Sequence, residues 1–277
     1  MKPYWSKSCS VAWRLFALLL CCVPCTVALG DEAQDARARE EINKYREMLK
    51  DGNPAELSEA RGEELWTTAT GPKQASLEQC DLGLGPGKVD GAYAKLPRHF
   101  SDTQQVQDLE SRLVTCMMSL QGLTREQATE GWYKADSRME ALVTYVAGKS
   151  RGAKIEAASA HPEEQQLQAL GEALFFRRSG PLDFSCATCH SQPDKRIRLQ
   201  EVRDLLIPAD AQAVLTQWPA YRLSQGQVWS MERRLIDCMR QMRWPEPQYL
   251  SEAVIALEAF LQKQAVGGVM QAPGLKR

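Results

Sequence analysis

Cys186-Ala187-Thr188-Cys189-His190 is the stretch of this chain whose residue types and spacing are most committed to one chemistry. Two thiols three positions apart can form thioethers with a single haem, and the imidazole that follows is placed to bind its iron. Zinc is the competing use of a Cys-x-x-Cys pair, but it needs further Cys or His ligands at close spacing, and none follow. Upstream, Leu167, Leu170, Gly171, Leu174 and Phe175 recur at three- and four-residue steps, which predicts an amphipathic helix running into the motif. The expectation is one covalently bound haem c, held by Cys186 and Cys189, with His190 on the iron.

The iron's sixth position has several candidate ligands. The chain has three histidines, so His99 or His161 would give bis-histidine ligation. Met is the usual second ligand of a c-type haem. Met231, Met239 and Met242 share a predicted helix, but with Val228 and Leu235 they recur at helical steps, as a core-facing stripe would. Cys238 lies beside that stripe. Spacing alone favours Met, while the charges draw attention to Cys238. Residues 222–243 hold Arg222, Arg233, Arg234, Arg240 and Arg243 against Glu232 and Asp237, and Arg234 precedes Cys238 by one helical turn. A guanidinium beside a thiol favours the thiolate, which binds metal and attacks sulfur, and it offers a forked donor to an oxyanion. The same run also fits a solvated basic face.

The elements that must position these groups occur twice. Leu96-Pro97 leads to Gln105-Val106 and then to Glu110-Ser111-Arg112-Leu113-Val114-Thr115-Cys116-Met117. Trp218-Pro219 leads to Gln227-Val228 and then to Glu232-Arg233-Arg234-Leu235-Ile236-Asp237-Cys238-Met239. Each copy then reaches a helix of similar pattern, Ala141-Leu142 to Tyr145-Val146 and Ala256-Leu257 to Phe260-Leu261. The fold expected is mainly α: two tandem cytochrome c-like domains related by internal duplication, the first without haem. The first copy has Cys80-Asp81-Leu82-Gly83 but neither the second thiol nor the histidine, so it cannot hold haem covalently. The shared fold would bring Cys80 and Cys116 together as a disulfide, the alternative being two buried free thiols.

The expected boundaries are a signal peptide at residues 1–30, a haemless N-terminal domain at 31–152 and a haem-binding C-terminal domain at 153–277. The leader carries Lys2, Lys7 and Arg14, then an apolar run interrupted by Pro24, which reads as a secretory signal and not as an anchor. Five cysteines follow the leader, Cys80, Cys116, Cys186, Cys189 and Cys238. In an oxidising, periplasm-like compartment two go to haem, two can pair and one is left over. A net charge of −1 gives no electrostatic case for nucleic acid or for an anionic membrane surface, and no stable membrane insertion is expected. Residues 31–50 predict an exposed charged helix with Lys44 near Glu40 and Glu41. Residues 83–91 read as a glycine-rich loop wrapping the first domain, 149–160 as the boundary, and 267–277 as a frayed tail.

With these motifs in place the chain resembles the SoxA family, the cytochrome subunit of the SoxAX complex of bacterial thiosulfate oxidation. The resemblance spans the mature chain and rests on Asn53-Pro54-Ala55-Glu56-Leu57, Gly62-Glu63-Glu64-Leu65-Trp66, Cys80-Asp81-Leu82-Gly83, the Cys186–His190 motif and the segment from Arg234 to Cys238. It is similar to members with one haem, in which a disulfide replaces the first. The resemblance implies that His190 and Cys238 are the axial ligands, that Cys238 can carry an extra sulfur as a persulfide, and that Arg234 meets the substrate; Arg243 is added here as a second anion contact. It implies L-cysteine S-thiosulfotransferase activity, joining thiosulfate to a cysteine of the SoxYZ carrier. The SoxX cytochrome would be the heterodimer partner, with a soluble cytochrome c as onward electron acceptor. The competing readings are a thiosulfate dehydrogenase forming tetrathionate and a plain electron-transfer cytochrome in which Cys238 only packs.

Overall fold

The computed structural model describes residues 32–48, 52–197 and 200–276; the expected leader lies outside them. The described residues form two compact units that part after Met48. The first is helix α1 (Glu32–Met48), where Lys44 is exposed and pairs with Glu40 and Glu41 at 3.5 and 3.1 Å. Among the described residues no helix is long and apolar enough to cross a membrane.

The second unit holds both copies. Copy one runs through α2 (Ala55–Thr67), the hairpin β1 (Arg98–Phe100) and β2 (Gln105–Gln107), α3 (Leu109–Cys116), the short α4 (Arg125–Ala128) and α5 (Arg138–Gly148). Copy two runs through α6 (Pro162–Phe176), α7 (Cys186–His190), a two-residue hairpin of β3 (Arg196–Ile197) and β4 (Gln200–Glu201), and α8 (Pro208–Leu215). It continues with the hairpin β5 (Ala220–Arg222) and β6 (Gln227–Trp229), α9 (Met231–Gln241), α10 (Glu252–Gln264) and β7 (Gly274–Lys276).

The duplication repeats down to single contacts. In each copy the first helix crosses the last at a glycine: a Cβ on Gly62 would lie 2.1 Å from the Ala141 carbonyl oxygen, and one on Gly171 would lie 1.9 Å from that of Ala256. Only a glycine lets two helix backbones approach this closely. Tyr145 and Phe260, one turn further along the partner helices, flank the same crossings. The hairpins share a register: His99 pairs with Val106, and Tyr221 with Val228. A polar side chain then starts each following helix. Asp108 accepts from the Ser111 amide at 2.9 Å, and Ser230 accepts from the Arg233 amide at 3.1 Å, so one otherwise unsatisfied N–H is paired at each N-terminus.

The cores of the two copies interlock. Leu250 from copy two packs into the first core, and Ala94, Ala147 and Ile155 pack into the second. Glu164 clasps the copies together, accepting from the His99 amide at 2.8 Å and the His161 amide at 3.0 Å. The segment 149–160 is held by main-chain bonds from Gly152 to Met270 and from Ile155 to Gly268. The frayed tail expected at 267–277 is corrected. Met270 and Ala272 are buried, and β7 pairs in parallel with β5, so this segment closes the sheet of copy two.

Candidate functional site

The Cys186–His190 motif forms its own short helix, α7, because Ser185 and Thr188 cap it reciprocally. Ser185 Oγ accepts from the Thr188 amide at 3.1 Å, and Thr188 Oγ1 accepts from the Ser185 amide at 3.0 Å. Both thiols are free and half-buried on the same turn. His190 Nδ1–H donates to the Arg203 carbonyl at 3.1 Å, which fixes the tautomer and leaves Nε2 as the lone-pair nitrogen. Burial lowers the His190 pKa, and the Arg234 charge lowers it further, so the neutral, ligating form is favoured.

Cys238 comes from α9 and interacts electrostatically with the same group of residues. Burial raises the Cys238 thiol pKa; Arg234 and Arg222 pull it down, while Asp237 and Cys189 push it up. The Cys186 thiol is pushed up to about 12, first by burial and then by Cys238. Cys238 thus acts on Cys186 and is acted on by Cys189, and the Arg234 charge reaches both His190 and Cys238. The donor set fits a haem held by two thioethers and a neutral imidazole, with a sulfur ligand available from α9. Phe176, Leu182, Phe184, Ile197 and Ile207, on either side of the motif in sequence, are exposed.

The alternative ligands occupy other roles. Met231 and Met239 are buried in the second core and Met242 packs against it, so the methionine stripe does the packing. The His99 and His161 rings stack on each other at 3.7 Å, and His161 Nδ1 accepts from the Glu163 amide at the start of α6.

Among the described residues Arg234 makes a single 3.3 Å bond, to Asp237, whose carboxylate also accepts from Arg240 and from Gln241. Arg243 is exposed on the turn after α9, with left-handed backbone (φ 56°), and its carbonyl packs against Gly180. Sequence reasoning counted Arg222 among the basic residues without assigning it to the site. It stands at the end of β5, and its charge acts on Cys238. Its position in the repeat, opposite Phe100 of copy one, is the signal that could have found it. In copy one Cys80 and Cys116 form the disulfide, with Cα atoms 5.5 Å apart.

A duplicated helical fold with one complete thiol–thiol–imidazole motif defines the class, a c-type cytochrome with one degenerate copy. Residues 61–155 and 170–270 each match the SoxA/TsdA cytochrome c domain, one match per copy. The chain belongs to the SoxA/TsdA cytochrome c family, on its SoxA side. The L-cysteine S-thiosulfotransferase subunit SoxA of Hydrogenophilus thermoluteolus is 50% identical, across 92% of this chain and 93% of its own. A SoxA of Hydrogenobacter thermophilus is 35% identical, across 87% and 92%. The crystal structure of SoxXA from P. pantotrophus has the same fold, with a TM-score of 0.71 over 84% of each chain at 23% identity.

Proposed function

We propose that this chain is the subunit of a periplasmic L-cysteine S-thiosulfotransferase that couples thiosulfate oxidatively to a cysteine of the SoxYZ carrier, with Cys238 as the reacting sulfur. The observation that carries the reading is the setting of Cys238: a free thiol one helical turn after Arg234, acted on by the Arg234 and Arg222 charges and by Cys189 of the haem-attachment motif. One haem c would be held through Cys186 and Cys189, with His190 and Cys238 the residues available to its iron. When bound, that haem supplies a local acceptor for electrons bound for the SoxX partner and a soluble cytochrome c.

The chain's own residues do the rest. Arg234 neutralises the approaching thiosulfate dianion and orients its sulfonate, and Arg243 is an outer contact. A bond forms between Cys238 Sγ and the sulfane sulfur of thiosulfate as two electrons leave. The carrier thiolate, its proton given up to solvent, then attacks that sulfane sulfur. The bond to Cys238 breaks, releasing the carrier S-thiosulfonate and returning Cys238 as thiolate. The net change is one carrier thiol and one thiosulfate converted to one S-thiosulfonate, one proton and two electrons.

Cys238→Ser tests this directly. Haem content is expected to stay unchanged, since Cys186 and Cys189 alone attach it, while coupling to the carrier falls by about a thousandfold or more. Retained coupling would remove Cys238 from the reaction, and tetrathionate as the wild-type product would favour the dehydrogenase reading.

A further inference from the structure

The repeat provides an internal reference for the cationic side of the pocket. In copy one the last residue of β1 is Phe100, and the Arg112 guanidinium lies over its ring, 4.0 Å from the centroid. The corresponding last residue of β5 is Arg222, in the same hairpin register, where Phe100 pairs with Gln105 and Arg222 with Gln227. Copy two therefore presents a second guanidinium where copy one supplies an aromatic face for the first. Arg222 Nε is buried without a hydrogen-bond partner, and among the described residues its side chain makes no ion pair; it leans on the Trp229 ring, 5.4 Å from the centroid. Burial lowers the Arg222 pKa and the Arg234 charge lowers it further, against Asp237 and Cys238, and both guanidiniums act on Cys238. Asp237 acts on both guanidiniums but hydrogen-bonds only Arg234 of the two, so the buried Arg222 donor is left for an incoming anion to take up.

We propose that Arg222 is a second anion-binding residue of the Cys238 site, which with Arg234 grips the sulfonate of thiosulfate and makes the site select a dianion over a monoanion. This rests on the function proposed above. Three sulfonate oxygens can take donors from two forks at once, which holds the sulfane sulfur toward Cys238 Sγ. The replacement of Phe100 by arginine is then the change that turns a structural pocket of the duplicated fold into a binding pocket.

The test uses the haem-loaded protein with its partner and carrier, and two acceptable sulfur donors: thiosulfate, and methanethiosulfonate, a monoanion in which a methyl group replaces one oxygen. Arg222→Gln is expected to lower kcat/KM for thiosulfate about tenfold or more, chiefly through KM, with little change for methanethiosulfonate. Arg222→Lys should recover much of the preference. Arg222→Phe restores the residue that the same fold carries in copy one and should repeat the loss, which covers the case in which glutamine impairs folding. Equal losses with both donors, or an unchanged ratio, would overturn the proposal. Cys238→Ser assayed in parallel separates the two ideas. If it stays active the transferase reading fails; if it is inactive while Arg222→Gln keeps its preference, only the role of Arg222 fails.

Discussion

Arg112 and Arg234 occupy the same position in the two copies, four residues before Cys116 and Cys238, and they have opposite fates. The Arg112 side chain is 5% exposed; Nε donates to the Asp81 carbonyl at 2.6 Å, Nη1 donates to Asp102 at 2.8 Å, and the plane stacks on Phe100. Arg234 is 27% exposed and, among the described residues, has one long bond, to Asp237. Cys116 is spent in a disulfide, whereas Cys238 is free. The contrast shows what duplication left behind. One scaffold holds an arginine and a cysteine one turn apart in both copies, and what surrounds them decides whether they stabilise the fold or remain available to react.

Exchanging the roles of the two arginines should have the largest effect. Arg112→Ala is expected to cost about 3 kcal/mol of stability, because it leaves the Asp81 carbonyl and Asp102 without their donor, with KM for thiosulfate unchanged. Arg234→Ala should do the reverse, lowering kcat/KM for thiosulfate about a hundredfold with little change in Tm. Denaturant melts and steady-state kinetics on both variants check the pair, and a shared phenotype would erase the distinction between the copies. Replacing Cys80 and Cys116 together by Ala should cost about 3 kcal/mol, through the loop of 36 residues' separation that the disulfide closes, while activity per haem is retained. An equal loss of activity would mean that copy one takes part in the chemistry.

The smallest effect is expected where the copies meet. Glu110 is raised to about 7, first by burial and then by the neighbouring Asp108 charge, against 4.5 in the open chain; Glu140 is also raised to about 7, mainly by burial. Between these values the folded chain holds protons that the unfolded chain has released, so stability is highest toward pH 4.5 and falls as pH rises to 7. Glu110→Gln should flatten the slope of Tm against pH; an unaltered slope would show that Glu110 ionises freely.

Much of this was legible in the chain because it is local. The Cys186–His190 motif, the Arg234-to-Cys238 turn and the methionine stripe are all defined within a few helical turns, and the two runs to Cys116 and Cys238 align by eye. Pairing that spans long sequence separations was less legible. The end of the chain looked frayed because β7 is short and only weakly apolar, and its partner β5 lies about fifty residues earlier. Arg222 escaped assignment for a similar reason. A helix-face argument reaches from Arg234 to Cys238, but not to Arg222, which stands at the end of β5. Glu164 gave no sign that it joins the copies, since its partners are the amides of His99 and His161 and not side chains with a recognisable pattern.

The most direct test of Cys238 as the reacting sulfur is the mass of the purified, haem-loaded protein with and without reductant, followed by peptide mapping across α9. After exposure to thiosulfate and an electron acceptor without the carrier, the expected result is a thiosulfate adduct that reductant removes and that maps to Cys238, with Cys80 and Cys116 recovered as a linked pair. An unmodified, freely alkylated Cys238 before and after exposure to thiosulfate would contradict it and would leave Cys238 as a packing residue, like the methionines around it.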